Sequence, residues 1–266
     1  MTCPLGERVV RFKNQRNIEL CGTLRYAGGR DIVLLVHGLM SLRDRVRFPE
    51  IAVALADKGV SSLRFDLSGN GDSGGTFSYA NSWGEAEDIH AAVLYARSEL
   101  EREVTGLLGH SKGGLAVLLY ACQHDDVPRV VGLAPSFSRK AGLQEVFGYD
   151  DTLATVAKEG KAEVVWRGVK TPRQPHIFCL TQQDVQEART LDMAQHCPCI
   201  NRTRVLLVHG AKDVLVPLDA SRSYGKHIEG AAVRVIADGD HNFDAPGPAK
   251  EMIAAVVDFF TSASNS

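Results

Sequence analysis

The stretch Gly109-His110-Ser111-Lys112-Gly113-Gly114 decides the fold of this chain. It lies between two apolar runs, residues 104–108, which are typical of a strand, and residues 113–122, which are typical of a helix. A serine in the pattern G-x-S-x-G between a strand and a helix predicts a sharp turn that exposes the hydroxyl at the carboxyl end of the strand. Such a tight turn leaves no room for side chains two residues before and after the serine, which explains the two glycines.

Strand and helix signals alternate along most of the chain, which predicts an α/β fold with a mostly parallel sheet flanked by helices on both faces. Residues 32–36 form a continuous apolar run that is typical of a strand buried on both sides. Residues 8–13 and 18–26 are expected to form a leading antiparallel pair. Further strands are predicted at 61–65, 104–108, 130–133, 205–208 and 233–237, and helices at 49–58, 82–101, 113–122, 218–227 and 248–260.

The alternation breaks between Ala134 and Asn201, in a stretch that mixes aromatic residues, prolines and charges. This stretch is too long for an ordinary loop in a compact domain. Sites in open α/β sheets lie at the carboxyl ends of the strands, so we expect residues 135–201 to form a lid, inserted after the sixth strand of a single domain spanning 1–266. An extra pair of helices packed at the edge of the sheet is the alternative.

Composition restricts the class of partner. The 266 residues are 44% apolar and 23% charged, and the formal net charge is −2 without a basic stripe. This balance argues against nucleic acid or an anionic membrane as a partner and favours a small neutral molecule. No apolar run has the length of a signal peptide or a membrane span, and the six cysteines show no paired framework. We therefore expect a cytoplasmic protein with reduced thiols.

Two residues downstream of the elbow complete a catalytic pattern. A serine hydroxyl is a weak nucleophile at neutral pH and needs a base, which in turn needs a carboxylate to orient it. Asp213 follows the strand predicted at 205–208, and His241 follows the strand predicted at 233–237. The order Ser111, Asp213, His241 is the chain order of nucleophile, acid and base that accompanies an elbow of this kind. These three residues are the predicted catalytic triad.

Each member of this set has a simpler explanation when it is taken alone. The pattern G-x-S-x-G occurs by chance in many chains, and Asp213 could cap a helix or a loop. Asp238 and Asp240 are rival acids, although Asp240 adjoins His241 and neighbouring side chains rarely meet in the required hydrogen bond. What favours catalysis is the occurrence of three suitable residues at three strand exits in the right order.

The charge that develops on an attacked carbonyl oxygen requires backbone donors. The N–H of Lys112, the residue after the nucleophile, is one candidate. The N–H of Leu39, which follows His37-Gly38, is the other, and an ordinary strand-ending turn is the alternative explanation of that dipeptide. Because only the backbone is needed, the side chains of Leu39 and Lys112 are expected to be free to vary.

Three histidines near the predicted site are not assigned the role of the base. His37 and His209 each end a predicted strand ahead of a glycine and are expected to anchor loops through hydrogen bonds. His110 adjoins the nucleophile and is expected to point away from it and to shape the turn.

Two further motifs resemble binding sites but lack the required context. Residues 69–74 match G-x-G-x-x-G, yet no apolar helix follows at once, so a phosphate-binding helix N-terminus is poorly supported. Residues 196–199, His-Cys-Pro-Cys, resemble a metal clip, but no further ligands occur at suitable spacing. Neither a cofactor nor a metal is predicted.

Several motifs together carry a family likeness. They are His37-Gly38, residues 64–73, residues 109–114, residues 209–213 and Asp240-His241-Asn242-Phe243. In combination they resemble the α/β-hydrolase superfamily and, more narrowly, its cinnamoyl (feruloyl) esterases and its serine-aminopeptidase-like or monoacylglycerol-lipase-like hydrolases. The resemblance covers nearly the whole chain outside the lid and implies the α/β-hydrolase fold. It also implies Ser111 as nucleophile, His241 as base, Asp213 as its orienting acid, and Leu39 and Lys112 as oxyanion donors.

The expected activity is hydrolysis of a small carboxylic ester through an acyl-enzyme on Ser111, followed by attack of water assisted by His241. A thioesterase, an amidase or an acyltransferase would use the same triad. A non-catalytic receptor for a small molecule is an alternative from another class, because a fold does not by itself assign a function. Tight binding without turnover would identify such a receptor.

Overall fold

An eight-stranded sheet forms the centre of the molecule, in a computed structural model that describes residues 6–148, 151–166, 173–174 and 177–262. In chain order its strands are β1 (Glu7–Lys13), β2 (Glu19–Arg25), β3 (Asp31–Val36), β4 (Ser61–Phe65), β5 (Glu103–His110), β6 (Arg129–Leu133), β9 (Arg204–Gly210) and β10 (Ala232–Ile236). A separate antiparallel hairpin contains β7 (Lys161–Val165) and β8 (Ile177–Thr181). The order across the sheet is β1-β2-β4-β3-β5-β6-β9-β10.

The sheet is antiparallel at one edge and parallel elsewhere. β1 pairs antiparallel with β2, and β2 pairs antiparallel with β4, whereas every pair from β4 to β10 is parallel. The predicted leading pair and the mostly parallel sheet are therefore confirmed. β5 runs two residues further than predicted, through Gly109 and His110, so the turn at Ser111 follows the strand directly.

Helices cover both faces of the sheet. On one face lie α2 (Ser82–Ser98), α3 (Lys112–His124) and α8 (Asp219–His227), and on the other lie α1 (Phe48–Ala56) and α9 (Pro246–Thr261). The alternation of side chains in β3 explains this layering, because Ile32, Leu34 and Val36 pack in the first layer whereas Val33 and Leu35 pack in the second. The α/β fold class predicted from the sequence, with helices on both faces of the sheet, is confirmed.

The segment between β6 and β9 adds no strand to the main sheet within its described residues. It contains α4 (Lys140–Phe147), α5 (Thr152–Glu159), the β7–β8 hairpin, α6 (Gln182–Thr190), α7 (Met193–His196) and a short 3-10 helix at Cys197–Cys199. Residues 149–150, 167–172 and 175–176 of the predicted lid lie outside the described part of the chain. The role of residues 135–201 as a lid stays a prediction.

This segment is attached to the loop that precedes α2. Phe77 and Tyr79 of that loop pack against Phe147 and Phe178 in a hydrophobic cluster separate from the two layers of the sheet. The Asp184 carboxylate, at the start of α6, accepts a hydrogen bond from the N–H of Ala80 at 3.1 Å. The Glu187 carboxylate accepts one from the N–H of Ser82 at 2.6 Å. Buried aromatic contacts and charge-assisted hydrogen bonds thus hold the segment against the carboxyl edge of the sheet.

Among the described helices, none combines the length and the apolar character that crossing a bilayer requires.

Candidate active site

The turn at Ser111 has the geometry predicted for a nucleophile elbow. Ser111 links β5 to α3 with φ 57° and ψ −119°, a strained conformation for a residue with a side chain. A Cβ on Gly109 would lie 2.1 Å from the Gly113 carbonyl oxygen, and a Cβ on Gly113 would lie 2.3 Å from the His37 carbonyl oxygen. The N–H of Ser111 donates to the Leu133 carbonyl at 2.9 Å, which ties the turn to β6. The serine is held rigidly at the strand exit.

The loop after β3 lies directly against this turn. A Cβ on Gly38 would lie 2.9 Å from the His110 carbonyl oxygen and 3.0 Å from the Ser111 Cβ, so the loop backbone contacts the elbow backbone. His37 anchors the loop: its Nδ1 donates to the Gly38 carbonyl at 2.9 Å, and its Nε2 accepts from the N–H of Leu67 at 3.1 Å. Burial lowers the pKa of His37, which keeps the ring neutral and able to accept.

The two predicted oxyanion donors flank the serine. Leu39 follows Gly38 and lines the same cavity as Ser111. Lys112 is the first residue of α3, where backbone N–H groups have no acceptor within the helix. The positive end of the helix dipole lies at this position and favours negative charge there.

Asp213 lies in the loop after β9, where its side chain is fully buried. Its Oδ1 accepts from the backbone N–H groups of Leu215 at 2.8 Å and of Val216 at 2.9 Å. Its Oδ2 lies 2.7 Å from Nδ1 of His241 and 3.2 Å from Nε2 of His209. Burial alone raises the pKa of Asp213, but the hydrogen bonds from His209, His241 and Val216 outweigh it and hold that pKa below its ordinary value. The group is an ionised carboxylate at neutral pH.

His209 serves as an internal anchor of this loop. Its Nε2 lies 2.9 Å from the Val216 carbonyl oxygen, which can only accept, so Nε2 carries the proton. Its Nδ1 then accepts from the Ser221 hydroxyl at 2.8 Å. The prediction that His37 and His209 anchor loops is confirmed. The approach of His209 to Asp213 was not predicted, although a separation of four residues allows it.

His241 lies in the loop between β10 and α9, with 11% of its side chain exposed. Asp213 accepts from Nδ1, so the proton of a neutral ring resides on Nδ1 and Nε2 carries the lone pair. The rival acids lie elsewhere: Asp238 pairs with Lys212 at 2.7 Å, and Asp240 accepts from the N–H of Asp244 at 2.9 Å. The structure therefore brings His241 together with Asp213 and with neither rival.

His110 has a contact that the sequence analysis missed. Its ring centre lies 4.7 Å from that of His241, and its Nε2 donates to the His241 carbonyl at 2.9 Å. The pKa of His110 is lowered to about 3, mainly by burial and to a smaller extent by the nearby His241 ring. The His110 ring is therefore neutral at physiological pH. His110 therefore fixes the loop that carries His241. Its position next to the serine was visible in the sequence, but its contact partner lies 131 residues away.

The Lys112 side chain is not free to vary, and that prediction is wrong. The side chain is 1% exposed, and its Nζ lies 2.8 Å from Oε1 of Glu85, in the first turn of α2. Burial lowers the pKa of Lys112, and the neighbouring Glu85 carboxylate opposes this effect. A charge in the interior needs a partner, and the ion pair thus links the helix after the nucleophile to α2.

A cavity of about 1370 Å³ connects the predicted site residues. One side of it, which we call the sheet wall, is formed at the strand exits by Leu39, Ser111, Leu215, Val216 and His241. The opposite side, which we call the insert wall, comes from the segment between β6 and β9. Its members are Ser136, Phe137, Ser138, Arg139, Gly142, Val146, Phe147, Thr152, Glu163, Val164, Val165 and Trp166. A substrate bound in this cavity would contact both walls.

The two motifs set aside in the sequence analysis have structural roles. The loop at residues 69–74 wraps around Asp66: a Cβ on Gly71 would lie 2.3 Å from the Asp66 carboxylate, which also binds Arg43. Cys197 is buried among the side chains of α3 and α8, whereas Cys199 is exposed. Within the described ranges, no three His, Cys, Asp or Glu side chains are grouped to hold a metal ion.

A mostly parallel sheet with helices on both faces and a serine at a strand-to-helix elbow defines the chain as an α/β hydrolase. Solved structures share this fold. Est1E from Butyrivibrio proteoclasticus, with ferulic acid bound, matches with a TM-score of 0.77 and 22% identity, over 94% of this chain and 97% of that one. The α/β hydrolase domain-containing protein 10 from mouse matches with a TM-score of 0.75 and 20% identity, over 97% and 100%.

Residues 28–203 match the family described as serine aminopeptidase, S33, and the chain belongs to this family. The match spans the predicted nucleophile but ends before Asp213 and His241. A pimeloyl-[acyl-carrier protein] methyl ester esterase from Neisseria meningitidis serogroup C is 27% identical over 237 residues, which are 79% of this chain and 86% of that protein. The resemblance to the α/β-hydrolase superfamily stated from the motifs is confirmed.

Proposed function

We propose that the protein hydrolyses small carboxylic esters, with Ser111 as nucleophile, His241 as general base and Asp213 as the acid that orients it. The observation that carries the proposal is the 2.7 Å contact between His241 Nδ1 and Asp213 Oδ2, in a cavity that Ser111 and His241 both line. Histidine held in this tautomer presents a lone pair on Nε2, which is the atom that must accept the serine proton.

In the proposed first half-reaction, His241 Nε2 takes the proton of Ser111 Oγ while Oγ attacks the ester carbonyl carbon. The carbonyl π electrons move to oxygen, and the N–H groups of Leu39 and Lys112 donate to the oxyanion that forms. Collapse of the tetrahedral intermediate breaks the bond to the alcohol oxygen, which receives the proton from His241. The acyl group is then covalently attached to Ser111.

In the second half-reaction, water attacks the acyl-enzyme as His241 takes one of its protons. The second tetrahedral intermediate expels Ser111 Oγ, which recovers the proton from His241, and the free acid leaves. Asp213 stays ionised throughout and stabilises the imidazolium form of His241 in both steps. Its four hydrogen bonds favour this role because they hold the negative charge in place without further reorganisation.

The choice of an ester as substrate rests on relatives. The protein from Neisseria meningitidis is named as a methyl ester esterase, and the Butyrivibrio proteoclasticus structure holds ferulic acid, a carboxylic acid of the kind that ester hydrolysis releases. The aromatic and aliphatic part of the cavity lining suits the acyl group of such an ester. We therefore propose esters ahead of thioesters and amides.

The test combines labelling with turnover. A fluorophosphonate probe is expected to label Ser111, located by peptide mass spectrometry, and short p-nitrophenyl esters are expected to be hydrolysed. Ser111→Ala should abolish both signals, whereas Ser98→Ala, at an exposed serine that ends α2, should change neither. Absence of label and turnover in the folded wild-type protein would overturn the proposal, and tight ligand binding without turnover would favour a receptor instead.

A further inference from the structure

Arg139 is a buried cation on the insert wall of the cavity. It directly precedes α4, is 7% exposed and lines the cavity that contains Ser111. Arginine is almost never buried to this extent without a partner, because removing its charge from water costs free energy that a counter-charge must offset.

The contacts of Arg139 within the protein leave its hydrogen-bonding capacity largely unused. Its guanidinium carbon lies 4.6 Å from the centre of the Tyr79 ring, and its Nη2 reaches the Tyr79 carbonyl only at 3.5 Å. Its Nε is buried and has no acceptor among the described residues. Ring stacking and one long hydrogen bond hold the guanidinium in place, but in the described part of the chain no carboxylate forms an ion pair with it.

Two acidic side chains that act on Lys112, the cation close to Arg139, already have other partners. Glu85 binds Lys112 at 2.8 Å, and Glu187 accepts from the N–H of Ser82 at 2.6 Å. Lys112 is close enough to Arg139 for the two positive charges to repel each other. An additional negative charge at Arg139 would therefore relieve an unfavourable interaction.

A second buried donor lies on the same wall. Nε1 of Trp166, the residue directly after β7, is buried without an acceptor among the residues described. Buried N–H groups are nearly always paired, so two buried donors without acceptors, on residues that line one cavity, leave unused hydrogen-bonding capacity beside it. Phe137 and Phe147 line the cavity on the same wall, together with the polar Ser138, Thr152 and Glu163.

We infer that Arg139 binds a carboxylate that the substrate carries apart from its scissile ester, so that the preferred substrates are half-esters of dicarboxylic acids. The planar guanidinium presents parallel N–H donors whose spacing matches the two oxygens of a carboxylate. The aromatic side chains suit the hydrocarbon or aryl part between the two ends of such a molecule. This inference rests on the proposed esterase function and adds the class of its substrate.

The test compares charged and neutral substrates of equal length. Monoethyl esters of straight-chain dicarboxylic acids with four to ten carbons are paired with ethyl esters of the corresponding monocarboxylic acids, and acid release is followed in a pH-stat. For wild type, kcat/KM is expected to be higher for at least one half-ester than for its neutral counterpart. Arg139→Gln should lower kcat/KM for that half-ester roughly 10- to 100-fold, mainly through KM, while changing the neutral ester less than about 3-fold.

Two variants control this measurement. Arg139→Lys keeps the charge but loses the paired donors and should fall between wild type and R139Q; it also serves if R139Q does not fold. Lys140→Gln removes the same charge from the adjacent, exposed position and should behave like wild type. Equal losses on charged and neutral esters in R139Q, or a wild type that prefers the neutral ester at every length, would overturn the inference.

A binding measurement separates this inference from the proposed function. The half-ester is titrated calorimetrically into Ser111→Ala and into the double variant S111A/R139Q. Binding to the single variant that weakens at least 10-fold in the double variant supports the role of Arg139 even if wild type hydrolyses no ester. Absence of binding to S111A, or equal binding to both, refutes that role even if neutral esters are hydrolysed.

Discussion

The sheet wall and the insert wall face the same cavity, but the charged groups associated with them differ in how many hydrogen bonds they form within the protein. Behind the sheet wall the Asp213 carboxylate, which binds His241, receives four hydrogen bonds, from Leu215, Val216, His209 and His241. On the insert wall Arg139 has a ring contact and one long hydrogen bond. Both groups are buried and both are charged at neutral pH.

This difference in hydrogen bonding is the one expected between a group that takes part in catalysis and a group that recognises a ligand. A group that stabilises charge during a reaction works best when its dipoles are fixed before the substrate arrives, as they are around Asp213. A group that recognises a substrate must keep donors free for it, as Arg139 and Trp166 do. The first wall is built from strand exits of the sheet, and the second from a segment inserted between two of its strands.

The largest expected effect tests the chemistry assigned to the sheet wall. Asp213→Asn removes the charge that orients His241, and kcat for p-nitrophenyl esters should fall roughly 10³- to 10⁴-fold because the imidazole is then held in the wrong tautomer. Steady-state kinetics on purified variants measures this loss. Asp238→Asn, at the exposed rival acid, is the matched control and should retain wild-type kcat. A larger loss of kcat in D238N than in D213N would show that Asp213 is not the acid that orients His241.

The next effect tests the buried ion pair between Lys112, the residue after the nucleophile, and Glu85. Lys112→Met leaves the Glu85 charge buried without a partner, and the free energy of unfolding should fall by about 3–5 kcal/mol. Adding Glu85→Leu should recover most of this loss, since an apolar pair of similar volume can replace a buried ion pair. Urea titration of both variants gives the comparison. If the double variant were as unstable as the single one, an unpaired charge would not be the cause of the loss.

A smaller effect follows from the neutral ring of His110. Its pKa of about 3 in the folded state lies below the ordinary value near 6.5, so the unfolded chain binds a proton that the folded chain does not. This contribution to stability is present above pH 6.5 and is lost as the pH falls toward 3. At pH 5 the loss amounts to about 2 kcal/mol. The free energy of unfolding of His110→Asn should accordingly fall less between pH 7 and pH 5 than that of wild type. Parallel curves of unfolding free energy against pH for the two proteins would contradict this account.

The smallest effect measures the strain at the elbow. Ser111 adopts φ 57°, a conformation that glycine tolerates better than alanine does. Ser111→Gly should therefore be more stable than Ser111→Ala by about 1 kcal/mol, after allowance for the greater entropy of glycine in the unfolded chain. Both variants lack the nucleophile, so the comparison isolates the backbone. Equal stability in urea would mean that the turn is not strained.

Much of the fold was predictable because its signals are local. Ser61–Phe65 was predicted without error, and β3 and β6 each begin one residue before the predicted run. Continuous apolar runs followed by glycine or a polar residue determine where a buried parallel strand ends. The proximity of Asp213 and His241 was predictable for the same reason, because adjacent parallel strands end at one edge of the sheet.

The remaining features depend on contacts between distant residues. The Lys112 side chain at the start of α3 meets Glu85 of α2, and the His110 ring at the end of β5 meets the backbone of His241 in the loop after β10. Neither contact leaves a pattern in the sequence around those residues. The expectation that the Lys112 side chain is free to vary failed because burial of that position depends on how α2 packs against α3.

The sequence by itself determined the succession of strands and helices, the strained serine turn and the order of the residues proposed for catalysis, because each depends on spacing and residue type along a short stretch. Only the tertiary structure decided which charges are paired and which are not. Asp213 gains its donors, and Arg139 keeps its donors free, through the positions of segments far apart in the chain. Burial and hydrogen bonding of a charge are properties of the packed molecule, and they distinguish the wall that performs the chemistry from the wall that we infer selects the substrate.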